Sequence, residues 1–194
     1  MVKRTTEEKD NPSEDDIRMR LKTLSPMLQQ EYLENLLKRL SLDPNIRLLC
    51  SREVTELYVR RGLLAAAAKT MGSAAAFIHN PNHRRDIYKQ AAVLYLRAVD
   101  LLMAEDSFRK SLENATERER PFLKKEFENR HLTEAMAMET GGRRAKAVEV
   151  YERMLRLNPD PILQRKINER LVSLYEQLGR IRDHLNLRDS MKKQ

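Results

Sequence analysis

The stretch from Gly141 to Pro161 predicts one helix whose two ends are both marked in the sequence. Glycine tolerates the left-handed backbone that ends a helix, so Gly141 and Gly142 stop the preceding helix. Apolar residues then recur at three- and four-residue steps along one side: Ala147, Val148, Val150, Tyr151, Met154, Leu155 and Leu157. Pro159 and Pro161 end the helix, because proline lacks an amide hydrogen and disfavours helix in the residue before it.

The composition extends this helical prediction to the whole chain. Ala, Leu, Glu, Lys, Arg and Met dominate, and these residues are strong helix formers. Alternating runs of Val, Ile and Thr, which would indicate strands, are almost absent. A length of 194 residues suits one domain or one short solenoid. We therefore expect an all-α protein.

The same pattern recurs along the chain at intervals of 37, 43 and 37 residues. Bulky anchors near the ends of four helices are Tyr58, Tyr95, Met138 and Tyr175. Four residues later come Gly62, Val99, Gly142 and Gly179; nine later come Ala67, Ala104, Ala147 and His184. A large residue follows at the thirteenth position in the first three units. The repeat predicts helical hairpins that turn at the glycine, approach closely at the small residue, and stack on one another.

These anchors, turn glycines and small residues resemble those of the tetratricopeptide repeat family over about residues 46–191. The sequence departs from the family pattern by lacking tryptophan, by placing Val99 at a turn glycine, and by placing His184 at a small-residue site. The resemblance implies an α-solenoid of four to five antiparallel helix pairs, wound as a right-handed superhelix. It also implies a non-enzymatic adaptor or scaffold for protein–protein interaction.

The predicted organisation has three parts. Residues 1–16 form a flexible acidic tail with six acidic and three basic side chains, and residues 17–45 form an N-terminal helix pair. Residues 46–194 form the repeat domain. The predicted helix pairs are 16–24 with 26–40, 46–60 with 63–78, 84–98 with 100–115, 120–139 with 143–157, and 162–177 with 180–191. The segment 79–83, with sequence HNPNH, is predicted as a loop.

Motif searches indicate no catalytic residues, no metal site and no cofactor. No phosphate loop, dinucleotide fingerprint or HExxH motif is present. His79 and His83 are expected in the loop, His131 in a groove or on the surface, and the lone Cys50 in the core. No apolar run has the roughly 20 residues of a membrane span. A single cysteine and an N-terminus without a secretory hydrophobic segment favour a cytoplasmic location.

The family resemblance places the partner-binding groove on the first helices of the hairpins. It implies that Arg52, Arg60, Lys89 and Arg97 hold acidic groups of a partner segment. Val59, Val93 and Leu96 would supply an apolar floor, and Leu132 with Met136 would hold an apolar anchor. The third and fourth hairpins are apolar to acidic on this face. The alternative is that the bases only pair with neighbouring acids and bind nothing.

The net charge of +8 raises nucleic-acid binding as the alternative function. The candidate residues for RNA or DNA are Arg143, Arg144, Lys146, Arg165, Lys166 and Arg170. The aromatic stacking platform of a single-strand binder is missing, because Tyr151 and Tyr175 occupy core positions of the repeat. A third expectation is self-association through an exposed end of the solenoid.

Overall fold

The computed structural model describes residues 11–192, which form helices, turns and short connections without any β-strand. The ten α-helices in this range are α1 (Glu14–Thr23), α2 (Pro26–Leu37), α3 (Pro44–Arg60), α4 (Leu64–Ala74), α5 (Pro81–Arg97), α6 (Leu101–Glu113), α7 (Arg120–Thr140), α8 (Arg144–Arg156), α9 (Pro161–Gln177) and α10 (Ile181–Lys192). A 3-10 turn, Ala75–Phe77, follows α4. The helices stack as five antiparallel pairs, which confirms the predicted all-α solenoid.

The four later pairs turn through the same backbone hydrogen bonds. After α3, the Leu63 amide donates to the Tyr58 carbonyl at 2.8 Å, and the Gly62 amide donates to the Val59 carbonyl at 3.0 Å. Both bonds together are a Schellman motif, which requires one residue in the left-handed region. The residues with positive φ at these turns are Gly62, Val99, Gly142 and Gly179. The repeated turn predicted from the sequence is therefore present in all four pairs.

Three helices begin at a proline that follows a capping side chain. The side chains of Asp43, Asn80 and Asp160 accept hydrogen bonds from amides of the first helical turn, and proline occupies the first helical position. The prediction that residues 79–83 form a loop is therefore wrong in part. Asn80 caps α5, and His83 lies in its first turn because Pro81 has a backbone angle suited to helix.

Helix α1 begins at Glu14, two residues before the start predicted for the first helix and three before the predicted start of the helix-pair region at residue 17. Ser13 and Asp16 form a capping box, in which the Ser13 hydroxyl accepts from the Asp16 amide and the Asp16 carboxylate accepts from the Ser13 amide. The last three residues of the predicted flexible tail, 14–16, are therefore helical. Residues 1–10 of that tail lie outside the described part of the chain.

Small residues hold neighbouring helices close together in the core. Ala67, Ala104 and Ala147, the predicted close-approach positions, are completely buried. An added methyl group at Gly72 would stand 3.7 Å from the Ala91 methyl, so α4 and α5 are in near contact there. A second cluster joins α1, α2 and α3: Ile17, Leu33, Leu36, Leu42, Cys50, Val54 and Leu57. The boundary predicted between residues 45 and 46 falls inside α3, which begins at Pro44.

The junction between α6 and α7 is filled with rings. Phe108 stacks on Phe127 with 3.9 Å between ring centroids, and His131 meets Phe127 edge to face at 4.3 Å. The prediction of His131 as a groove or surface residue is wrong, because the side chain is only 1% exposed. Burial lowers the pKa of its imidazole, and its Nδ1 lies 3.0 Å from the Phe127 carbonyl.

Candidate functional site

A groove of about 330 Å³ crosses the first helices of three successive hairpins. We call it the first-helix groove; it is lined by Thr55, Met71, Lys89, Gln90, Val93, Leu94, Glu126 and Arg130. Met71 comes from α4, and the other residues come from α3, α5 and α7. Val93 and Leu94 are only partly buried, so an apolar surface stays open to a ligand.

Charged side chains from α5 and α7 stand at the rim of this groove. The Lys89 ammonium lies 3.2 Å from the Glu126 carboxylate, and both side chains are partly exposed. A pair of this kind contributes little to stability and opens readily to another anion. Arg130 lies one helical turn beyond Glu126 and makes no ion pair or hydrogen bond within residues 11–192. The groove therefore has one cation available to a partner and a second that is weakly held.

The structure places two of the predicted groove residues, Lys89 and Val93, in this lining. Arg52 and Arg60 are exposed on α3 outside the lining, and Arg60 lies 3.2 Å from Glu56 one turn earlier. Leu96 is fully buried in the core, which contradicts its predicted place on the groove floor. In this hairpin, the residue directly after the Tyr95 anchor therefore packs into the core.

The two residues predicted to hold an apolar anchor of the partner do not line the first-helix groove. Leu132 and Met136 are partly buried and pack against the main core of α5 to α9. Their contribution to partner binding remains a prediction. Met71 and Arg130 are not among the predicted groove residues, since Met71 reaches the groove from a second helix and Arg130 lies eight residues before the Met138 anchor.

Arg97 lies in a different cavity, near the turns of three hairpins. We call this the turn cavity; it measures about 390 Å³ and is lined by Gly62, Leu63, Leu64, Ala65, Ala66, Arg97, Ala98, Arg143 and Lys146. Its three cations have no ion pair within the described range, and no carboxylate lines it. The structure thus joins one residue predicted for peptide binding with two predicted for nucleic acid.

The other predicted nucleic-acid residues do not share that cavity. On α9, Arg165 pairs with Glu169 at 3.3 Å, and Arg170 pairs with Glu139 at 3.2 Å. Lys166 and Arg144 are exposed on α9 and α8. Arginines of α9 therefore partly neutralise Glu169 on the same helix and Glu139 on α7 of the preceding hairpin.

The described part of the chain offers a single buried cysteine and no cluster of side chains suited to a metal ion. Burial raises the pKa of the Cys50 thiol to about 11, so its reactive thiolate is scarce at neutral pH. The predicted core position of Cys50 is confirmed. Within residues 11–192, no three His, Cys, Asp or Glu side chains group as metal ligands would, and no helix is long and apolar enough to cross a membrane.

Comparisons with known proteins give a likeness in structure and none in sequence. No protein-family model matches the sequence, and no curated protein matches it. The solved structure of MamA MSR-1 C2 resembles this chain with 16% sequence identity and a TM-score of 0.37. That likeness covers 89% of this chain and 88% of the other. A likeness of this degree transfers no property to the chain.

Proposed function

We propose that this chain is a non-enzymatic protein-interaction scaffold that binds a segment of a partner protein in the first-helix groove. The supporting observation is the open apolar surface of Val93 and Leu94, backed by the buried Met71, beside an unpaired Arg130. Stacked hairpins present such a surface without any closed pocket for a reaction, which favours binding of an extended or helical segment.

The chemistry of the groove specifies the partner segment. Its apolar floor fits an aliphatic or aromatic side chain, and its rim cations fit a carboxylate on the same segment. Arg52 lies one helical turn before Thr55 on α3 and has no ion pair in the described chain, so it extends the positive rim. The partner segment therefore carries an apolar anchor flanked by acidic residues.

The test is a pull-down from native lysate with the full chain, followed by titration of the protein that is recovered. We expect Val93→Asp and Arg130→Glu each to weaken that partner at least tenfold, which corresponds to about 1.4 kcal/mol. Val93→Asp places a charge on the apolar floor, and Arg130→Glu reverses the available cation.

Arg188→Glu is the matched control, because Arg188 is an exposed arginine on α10 far along the sequence from the groove. It makes no ion pair in the part of the chain that the structure describes. Binding that survives both groove variants, or that Arg188→Glu weakens equally, contradicts the groove. Circular dichroism confirms that each variant is folded.

A second candidate function is binding of RNA or DNA through the turn cavity. The observation that favours it is the group of Arg97, Arg143 and Lys146 without a neighbouring carboxylate. Unpaired cations contact phosphates without first breaking an ion pair, whereas Arg165 and Arg170 would have to leave Glu169 and Glu139.

A labelled single-stranded RNA separates this candidate from the groove. We expect affinity to fall steeply with salt, and Arg143→Glu with Lys146→Glu to abolish binding that Arg165→Glu leaves nearly unchanged. Affinity that stays flat between 50 and 200 mM salt contradicts nucleic-acid binding, since three phosphate contacts on a single strand predict roughly a twentyfold loss. Survival of the protein partner after nuclease treatment supports the scaffold.

Self-association through the end of the solenoid remains a third proposal. Helix α10 has no buried residue, and Ile181 and Leu185 are 70% and 52% exposed. An apolar face of this kind at an end is covered when two copies meet. Light scattering over a concentration range tests it: a constant mass of about 22.8 kDa contradicts dimer formation.

A further inference from the structure

A small cavity between α2, α3 and α4 contains hydrogen-bond donors that the fold does not use. It measures about 230 Å³ and is lined by Leu37, Arg47, Ser51, Lys69, Thr70, Ser73, Ala74 and Phe77. Arg47 and Ser51 lie one turn apart on α3, and Lys69 and Ser73 lie one turn apart on α4. The cavity wall carries two cations and three hydroxyls but no carboxylate. It is separate from both the first-helix groove and the turn cavity.

Arg47 is a buried charge without a counter-ion. Its side chain is 5% exposed, and its guanidinium donates to the carbonyls of Leu37, at 2.8 Å, and Arg39. The guanidinium also stacks 4.0 Å from the centre of the Phe77 ring. Its Nε–H is inaccessible to solvent and has no acceptor within residues 11–192. The carbonyls at the end of α2 supply only about half a negative charge, which leaves a net positive charge in the wall.

Two partly buried arginines, Arg85 and Arg153, have carboxylate partners, whereas Arg84 donates only to the Ile78 carbonyl. Arg85 lies 2.6 Å from Glu119 and 3.0 Å from Asp86, and Arg153 pairs with Glu105. Arg47 is more buried than either, so its unbalanced charge should cost more free energy. An anion in the cavity would remove that cost.

The hydroxyls in the same wall are also free. Ser51 is 2% exposed and makes no hydrogen bond in the described structure, and Thr70 and Ser73 make none either. By contrast, the hydroxyls of Thr133 and Thr140 donate to carbonyls of their own helix, at 2.9 and 3.1 Å. Hydroxyls in folded proteins are mostly hydrogen-bonded to protein or to water, so a cavity-wall hydroxyl without a protein partner can bind a ligand that displaces water. These donors are therefore available to a ligand.

We propose that this cavity binds a phosphate group, free or as a small monoester. The two cations match the charge of about −2 that a phosphate carries, and Lys69 stands exposed at the entrance. Hydroxyls on two helices, with the ammonium, surround more oxygens than a planar carboxylate offers. The ligand meets the hydroxyls and Lys69 directly, while Arg47 acts through its charge from behind the wall. Neither binding function proposed above depends on this site.

The test is titration of the full chain with inorganic phosphate at constant ionic strength, measured by calorimetry. We expect saturable one-to-one binding, which Lys69→Gln and Ser51→Ala each weaken about tenfold. O-Phosphoserine is the second ligand: tighter binding than inorganic phosphate assigns the site to an esterified group, and weaker binding assigns it to the free ion. Acetate at the same concentration should compete poorly.

Lys124→Gln is the charge-matched control, because Lys124 is an exposed lysine on α7 without an ion pair in the described range. It should leave phosphate affinity unchanged. Three results overturn the proposal: no saturable binding, an equal loss in Lys124→Gln, or acetate that competes as well as phosphate. Arg47 is left intact in this test, since its bonds to the end of α2 make its loss a threat to folding.

Discussion

The α3–α4 and α5–α6 turns have the same backbone geometry but opposite side-chain chemistry. The closing hydrogen bond is 2.8 Å from Leu63 to Tyr58 and 3.0 Å from Asp100 to Tyr95. The left-handed residue is Gly62 in the first turn, with a φ of 74°, and Val99 in the second, with a φ of 62°. Valine is strained there, because its branched side chain crowds the backbone.

At the residue that follows the left-handed one, the α5–α6 turn has the more favourable side chain. Asp100 is the N-cap residue of α6, and its carboxylate accepts a hydrogen bond from the Met103 amide at 3.3 Å. Leu63 is the N-cap residue of α4, and its side chain makes no capping hydrogen bond. Each turn thus has one favourable and one unfavourable residue. The difference teaches that hydrogen bonds from the turn amides to carbonyls in the last turn of the first helix fix the turn geometry. Side chains only adjust its free energy.

The largest change in the free energy of unfolding should come from placing valine, the strained residue of the α5–α6 turn, at the glycine of the α3–α4 turn. Gly62→Val should lower the free energy of unfolding by about 2 kcal/mol, because a branched residue is forced into the left-handed region. Outside the adjacent residues, no atom lies within 4 Å of an added Cβ, so the loss chiefly reports backbone strain. Urea unfolding measures it. Gly72→Ala, at a helical position, is the control and should not destabilise; an equal loss in both variants would refute the strain argument.

The second-largest change should come from removing the Asp100 side chain, which caps α6 in the α5–α6 turn. Asp100→Ala should cost about 1 kcal/mol, because the Met103 amide at the start of α6 loses its acceptor. Thermal unfolding measures the loss. Asp100→Asn should behave like the parent, since an amide oxygen also accepts this bond. If the asparagine variant is as unstable as the alanine variant, the charge and not the cap matters.

The third effect should be a gain. Val99→Gly should raise the free energy of unfolding by about 0.7 kcal/mol, since the relief of strain exceeds the entropy that glycine loses on folding. Val59→Gly, inside α3, is the matched control and should lose about 1 kcal/mol. Chemical denaturation of both variants compares them. A loss at Val99 as large as that at Val59 would show that its packing against the core outweighs its strain.

The smallest effect is the transfer of a cap to the turn without one. Leu63→Asp should raise the free energy of unfolding by about 0.5 kcal/mol, because the new carboxylate caps α4. The same change adds a negative charge to the turn cavity beside Arg97 and Arg143. RNA binding at that cavity should weaken in parallel, as measured by the labelled-RNA titration. Greater stability with unchanged RNA affinity would separate the cap from the cavity.

The helices were predictable because their ends depend on local chemistry. Glycine in a left-handed turn and proline at a first helical position act within a few residues, so the predicted helix ends lie close to the observed ones. The predicted loop at Asn80–Pro81 is wrong because a capping side chain followed by proline begins a helix there, as it does for α9 at Asp160–Pro161. Ser13 was overlooked as the cap of α1, where Asp16 completes the capping box.

The groove was predictable only in part, because it depends on how far neighbouring helices are displaced. Of the residues that the family resemblance predicts for a groove, Lys89 and Val93 line the first-helix groove, whereas Leu96 packs in the core. Arg130 belongs to a hairpin offset by six additional residues, so the spacing of the other hairpins does not find it. The cavity around Arg47 combines three helices and a 3-10 turn, and no local pattern in the sequence reveals such a group.

The shared backbone turn has a consequence for the divergence of the sequence. Since amides and carbonyls close each of the four later hairpins, mutation can replace even the turn glycine, as at Val99, while the hairpin persists. Copies of one ancestral hairpin could therefore lose their common residues one by one without any loss of the solenoid. In such a lineage, backbone geometry preserves the history of duplication longer than the amino acids do.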